Sequence, residues 1–198
     1  MSATTMRLDR REVVRELMKD RGDLVVVAGL GSPGYDLFAA GDHDGNFYLW
    51  GAMGGAAMMG LGLALSQPSR RVLVLTGDGE MLMGLGSIAT IAAQAPDNLS
   101  IVVLDNELYA ETGMQPTHTA RGVDLAGIAG AAGFAVTRTV RSDGDLAQML
   151  EPLYTTHGTV FFDIKVSSKR YPMSIRLRDG AHIKNRFREA LLGHAAFD

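Results

Sequence analysis

VLVLTGDGEMLMGLGSIATIAAQAPDNLSIVVLDN, residues 72–106, decides the fold. Val72 to Leu75 is a β-branched and leucine-rich run that stops at a Gly77-Asp78-Gly79 turn. Apolar residues then recur at helical spacing from Leu82 to Gln94, until Pro96-Asp97-Asn98 breaks the pattern. A second apolar run, Leu99 to Leu104, ends at Asp105-Asn106. Strand, helix, strand with no polar alternation in the strands is the pattern of a parallel unit covered on both faces. The crossover returns the chain to one edge, so Asp78 and Asn106 are expected at the carboxyl ends of nearby strands, where open α/β sheets bind ligands.

The flanks continue the alternation. Helices are expected over 9–21, 35–40, 52–66, 124–132, 144–154 and 181–192. Strands are expected over 24–28, 47–49, 71–76, 135–140 and 159–166. The fold class is therefore α/β, a doubly wound and mostly parallel sheet between two helical layers. The 198 residues suit one domain, with a basic C-terminal tail over 166–198. From Lys165 to Arg188 there is one acid, Asp179, among a run of lysines and arginines. That run either steers an anionic substrate, docks an acidic partner, or forms a solvated helix face.

Composition excludes several classes. The net charge of −3 gives no general attraction to nucleic acid or anionic membrane. Cysteine is absent, so there is no disulfide, thiolate metal site or cysteine nucleophile. The first twenty residues are polar and read as no signal peptide, and the apolar stretch 52–65 is short for a membrane span. A cytoplasmic location is the expectation. No G-x-S-x-G elbow occurs, and the acidic turn 42–46 lacks calcium-loop spacing because Met53 stands where the bidentate acid belongs.

Asp78 and Asn106 are hard oxygen donors suited, with a main-chain carbonyl, to Mg²⁺ and phosphate oxygens. The glycines beside Asp78 let the backbone approach a diphosphate at a helix N-terminus. Gly29-Leu30-Gly31-Ser32-Pro33-Gly34 is a literal G-x-G-x-x-G after a strand, the dinucleotide fingerprint, but the next strand ends at Trp50-Gly51 without the ribose-binding acid. A tight strand-to-helix turn explains it equally well.

With 26 residues between Gly79 and Asn106, the motif resembles the metal and diphosphate signature of thiamine-diphosphate-dependent enzymes. Leu49 to Gly54 resembles that family's aminopyrimidine-holding segment. Leu104 to Thr117 resembles the matching loop of sulfopyruvate and phosphonopyruvate decarboxylases. Relative to those decarboxylases the loop acid is displaced by one position, to Glu111, and Met114 replaces a glycine, so a more apolar 2-oxo acid is an open alternative.

The resemblance implies thiamine diphosphate and Mg²⁺ as cofactors. Asp78, Asn106 and the Leu108 carbonyl would ligate the metal. Gly77, Gly79 and Glu80 would meet the diphosphate through the backbone, with Gly31 and Ser32 nearby and the Glu80 side chain turned away. Gly51 and Ala52 would face the aminopyrimidine, and Met53 would be the wedge under the ring or ordinary packing. Tyr109 would border the cofactor. Glu111, Gln115 and His118 would serve the substrate, His118 either relaying protons or lying on the surface. The chemistry implied is attack by a C2 carbanion on a small 2-oxo acid and loss of CO₂. The activating glutamate belongs to a pyrimidine-binding domain for which the chain has no room, so a second subunit and a hetero-oligomer are expected. The alternatives are a carboligase or synthase subunit and a non-catalytic cofactor- or dinucleotide-binding module.

Overall fold

The computed structural model describes residues 7–174, 177 and 179–197; Arg176 and Arg178 of the basic stretch lie outside them, as do residues 1–6 and Asp198. In chain order the elements are α1 (Arg10–Met18), β1 (Val25–Ala28), α2 (Ser32–Ala40), β2 (Asn46–Tyr48), α3 (Ala56–Ser66), β3 (Val72–Gly77), α4 (Asp78–Met83) and α5 (Ser87–Gln94). There follow β4 (Leu99–Asp105), β5 (Leu108–Tyr109), β6 (Gln115–Pro116), α6 (Leu125–Ala132), β7 (Val136–Val140), α7 (Asp143–Thr155), β8 (Val160–Lys165) and α8 (Gly180–Leu192).

Six strands form one parallel sheet in the order β2-β1-β3-β4-β8-β7, and β5 and β6 form a separate antiparallel hairpin. Strand periodicity explains the layers, because successive side chains leave opposite faces. Val26, Leu73, Leu75, Val102, Phe162 and Ile164 pack with Val14, Leu17, Leu37, Met149 and Leu153 of α1, α2 and α7. Val27, Val72, Val74, Ile101, Val103 and Phe161 pack with Ala57, Leu61, Ile88, Ile91 and Ala129 of α3, α5 and α6. Both faces are dry, which is why the strands read as continuous apolar runs. The result is the three-layer α/β/α fold expected from the sequence.

Side-chain caps account for four of the eight α-helix starts among the described residues. Asp9 accepts from the Arg11 and Glu12 amides, Asp124 from Gly127, and Asp179 from Ala181 and His182. Ser142 and Asp145 form a reciprocal capping box on α7.

Two elements depart from the sequence reading. The helix expected over 82–94 is instead α4, beginning at Asp78, and α5, separated at Gly84–Gly86. A Cβ on Gly84 would overlap the backbone of Gly54, so a close backbone approach from thirty residues away sets the break. The helix expected from Ala52 starts at Ala56, because Gly54 has φ 88° and turns the chain before it. Gly84→Ala is expected to cost about 1–3 kcal/mol through this overlap. Urea unfolding measures it, and an unchanged midpoint would show that the two backbones can separate freely.

Among the described residues no helix is long and apolar enough to cross a membrane. Of the basic residues, Arg186 on α8 pairs with Asp42 (2.6 Å) and lies 3.7 Å from Asp44, while Lys169 pairs with Asp9 (3.3 Å).

Candidate functional site

The chain leaves β1 toward β2 on one side, while β3 pairs with β1 on the other. The loops after β1 and β3 therefore diverge and leave a crevice at the carboxyl ends of the strands. Gly31, with φ 77°, turns the first loop into α2. The second has no loop at all: β3 ends at Gly77 and α4 starts at Asp78. This sharp passage requires backbone without bulk, since a Cβ on Gly79 would lie 2.6 Å from the Tyr109 ring.

Asp78 is buried, and its Oδ2 accepts from the hydroxyls of Thr117 (2.6 Å) and Thr119 (3.3 Å). Burial, then the neighbouring Asp105 carboxylate, push the Asp78 pKa up to about 6. Asn106 Oδ1 accepts from the Leu108 amide at 2.9 Å, an Asx turn that holds the carboxamide oxygen at the strand end. Asp78, Asn106 and Leu108 line one cleft of about 120 Å³, together with Ser32, Met53, Gly77, Gly79, Glu80, Tyr109 and Glu111. A carboxylate and a carboxamide meet there beside Leu108 and a glycine turn that a side chain would fill. This donor set fits a hard divalent cation and an attached diphosphate.

Glu80 turns inward. Its Oε2 accepts from the Leu30 amide (3.0 Å) and the Thr76 hydroxyl (2.9 Å). Oε1 is buried without a hydrogen-bond partner, and burial raises the pKa of the carboxyl against the Thr76 hydroxyl and the Leu30, Ala56 and Gly54 amides. The side chain thus ties the loop after β1 to the turn before α3. The β5–β6 hairpin folds over the cleft and rests Tyr109 on Gly79 and Glu111 on Gly31.

Other expected residues lie elsewhere. Gly31 stands behind Glu111 and does not line the cleft, and Gly51 and Ala52 are exposed outside it. Gln115 is exposed on the hairpin, where its amide bonds both the Thr112 hydroxyl (2.9 Å) and carbonyl (2.8 Å). His118 is exposed at the start of a 3-10 turn, Thr119–Arg121, also outside the cleft lining.

Beneath Asp78 lies a buried charge cluster that sequence reading missed. Asp105 and Lys165 are register partners on β4 and β8 and form an ion pair. Lys165 also sits 3.1 Å from Asp163, two residues away on the same face of β8. Thr119 bridges the cluster to the cleft, donating toward Asp105 (2.9 Å) and Asp78. The available signal was the i, i+2 charge pair Asp163 and Lys165 within an otherwise apolar strand. One ammonium serves two buried carboxylates, so burial and then Asp105 hold the Asp163 pKa up at about 7.

The sign of the pH effect follows. An unfolded Asp163 releases its proton near 3.8, whereas the folded chain retains it to about 7. The native state binds more protons across that window, so stability falls as pH rises through it. Melts between pH 5 and 8 should show a higher midpoint at pH 5, and Asp163→Asn should flatten the slope. An equal slope in both proteins would exclude Asp163 as its source.

Residues 39–164 match the family model for thiamine pyrophosphate enzymes, C-terminal TPP binding domain. The chain is 40% identical over 188 residues to sulfopyruvate decarboxylase subunit beta of Methanothermobacter thermautotrophicus, covering 95% of this chain and 98% of that protein. It is 41% identical over 144 residues to phosphonopyruvate decarboxylase of Streptomyces viridochromogenes, covering 73% of this chain and only 36% of that one. In fold it superimposes on benzoylformate decarboxylase from Polynucleobacter necessarius with a TM-score of 0.68 at 22% identity, over 87% of this chain and 35% of that one.

Proposed function

The chain belongs to the thiamine pyrophosphate enzyme family through its C-terminal-type TPP binding domain, and from that membership we propose that it is the diphosphate- and Mg²⁺-binding subunit of a two-subunit 2-oxo acid decarboxylase. The observation that carries the reading is the convergence of Asp78, Asn106 and Leu108 on one cleft beside Gly77 and Gly79. On this reading residues 1–198 act as one domain. Asp78 and Asn106 hold the metal by side-chain oxygen and Leu108 by its carbonyl. Gly79 and Glu80 present backbone amides to the diphosphate, and Met53 and Tyr109 form the apolar walls.

Thiamine diphosphate, when bound, supplies the nucleophilic carbon and the electron sink for loss of CO₂ from a 2-oxo acid. This chain's residues supply position and dryness. Thr117 and Thr119 aim Asp78 through its Oδ2, and the β5–β6 hairpin shields the cleft from water. Glu111 is the acid beside substrate. Gln115 and His118 can reach it only if the hairpin and the following turn shift. Arg10, Asn106, Glu111, Lys169 and Arg170 line an adjoining hollow of about 260 Å³, and its three cations, of which Arg10 pairs with Asp36 and Lys169 with Asp9, suit a substrate with a second negative group. That favours sulfopyruvate- or phosphonopyruvate-like acids over apolar ones.

The activating glutamate is assigned to a second subunit that carries the pyrimidine-binding domain, giving a cytoplasmic hetero-oligomer. The subunit naming of the Methanothermobacter relative, and the 98% coverage of that beta subunit against 36% of the Streptomyces phosphonopyruvate decarboxylase, support this division. Calorimetry of the chain with its partner is expected to show binding of Mg²⁺ thiamine diphosphate and none of NAD. The mixed subunits should release CO₂ from sulfopyruvate or phosphonopyruvate, and either subunit alone should not. NAD binding without thiamine diphosphate binding would move the dinucleotide module ahead. Ligation of two 2-oxo acids in place of simple release would identify a carboligase.

A further inference from the structure

The opposite edge of the sheet carries an unexplained feature. At the amino ends of β1, β3, β4 and β8, the connecting loops enclose a hollow of about 320 Å³. Arg21, Arg70, Arg71 and His157 contribute its basic groups, and Ser69 and Tyr154 its hydroxyls. Asp23 and Asp97 also line it; both are exposed, and neither forms an ion pair among the described residues.

The three arginines of the hollow bond no carboxylate, unlike other half-buried or buried arginines of the chain, and Arg70 gives Nη1 to the Ala190 carbonyl (3.2 Å). Arg10 and Arg11 share Asp36, and Arg186 has Asp42. Arg71, by contrast, gives Nη2 to the Thr156 carbonyl (3.0 Å), and its Nη1 is buried with no partner. Burial lowers its pKa. Arg21 gives its two terminal nitrogens to the Asn46 carboxamide (2.8 Å) and the Leu24 carbonyl (2.7 Å), and its Nε is buried unpaired. Both residues are half-buried, and the hydrogen bonds of both guanidiniums go to neutral acceptors, with Asp42 acting on Arg21 only at longer range. A desolvated cation without counter-charge is costly unless an anion completes it.

The loops that hold them are well tied. Asn98 donates to the carbonyls of Ala64, Gln67 and Arg70 (3.1, 3.0 and 2.7 Å), fixing the turn that presents Arg70 and Arg71. The Gly158 amide bonds the Asp97 carbonyl at 3.2 Å, and so fixes the wall that bears His157. The hollow is thus built from four connected loops rather than from one mobile segment.

We propose that this hollow binds a small multivalent oxyanion of the phosphate class, which supplies Arg71 and Arg21 with the hydrogen-bonded counter-charge that their neutral acceptors do not give. Guanidinium groups suit such an anion because their fixed forks match its oxygens. The site lies at the edge of the sheet away from Asp78, so its occupancy is independent of the cofactor.

The test is a phosphate titration of the full chain at constant ionic strength, with chloride as the control. Amide resonances of residues 69–71 and 156–158 should shift saturably, and those of 77–79 should not. Saturating phosphate should raise the melting midpoint by about 5 °C over chloride. Arg71→Met should weaken phosphate at least about tenfold, Arg71→Lys less, and Asp78→Asn not at all. Tighter binding of 3-phosphoglycerate would assign the site to a phosphorylated metabolite, and equal binding to the free ion; both uphold it. Shifts confined to 77–79, no saturation, or a folded Arg71→Met that binds as wild type would overturn the proposal. The resonance mapping uses wild-type protein, so it decides even if Arg71→Met fails to fold.

Discussion

Lys165→Met is expected to destabilise the chain by about 3–5 kcal/mol, the loss typical when one partner of a buried ion pair is removed. Lys165 is the counter-ion for Asp105 and Asp163, which are almost wholly shielded from solvent. Without it two carboxylates face each other inside the sheet, and Asp78 adds a third through Thr119. Against a total stability of about 5–15 kcal/mol, the variant should melt far lower or fold only in acid, where the carboxyls are neutral. Adding Asp163→Asn removes one of the stranded charges, so the double variant should recover part of the loss. Urea unfolding at pH 8 measures both. A loss below about 1 kcal/mol, the range of surface pairs, would mean that water reaches the cluster.

Asp78→Asn should act in opposite directions on stability and on binding. The pKa of about 6 means that ionised Asp78 is costly in the ligand-free chain, chiefly through burial and then through Asp105. A neutral carboxamide of the same shape still accepts from Thr117 and Thr119. The ligand-free variant should therefore melt at or above the wild-type temperature at pH 8. Binding of Mg²⁺ thiamine diphosphate should fall by about 100-fold or more, because the negative oxygen offered to the metal is gone. Calorimetry and melting on the same preparations read both effects. Retained affinity would place the metal elsewhere, and a large fall in midpoint would make Asp78 structural. The combination of a lost function with a kept or improved fold is the mark of a residue held at a cost for its ligand.

Much of this was legible in the chain. The apolar runs at 72–75, 99–104 and 159–166 bury both faces, and that alone demands a parallel sheet with helices on each side. The Gly77-Asp78-Gly79 turn at one strand end and Asn106 at the next required only strand, helix and strand to be recognised. Their meeting at one cleft then follows from the right-handed crossover.

Other features depended on residues distant in sequence. Gly54 against Gly84 divides an otherwise continuous helical pattern, and local propensity contains no trace of that contact. The β5–β6 hairpin brings Tyr109 and Glu111 over the cleft and leaves Gln115 exposed, bonded to Thr112 within the hairpin, a docking that no local pattern specifies. Asp105 and Lys165 are sixty positions apart and meet because β8 inserts between β4 and β7. Periodicity is a short-range signal, set by where each side chain leaves its own strand or helix. It determined the layers, the sheet type and the edge that bears the glycine turn. Strand order and loop docking are decided by which long-range arrangement buries the most surface, and these placed Lys165 beneath Asp78 and gathered Arg21, Arg70 and Arg71 at the opposite edge of the sheet.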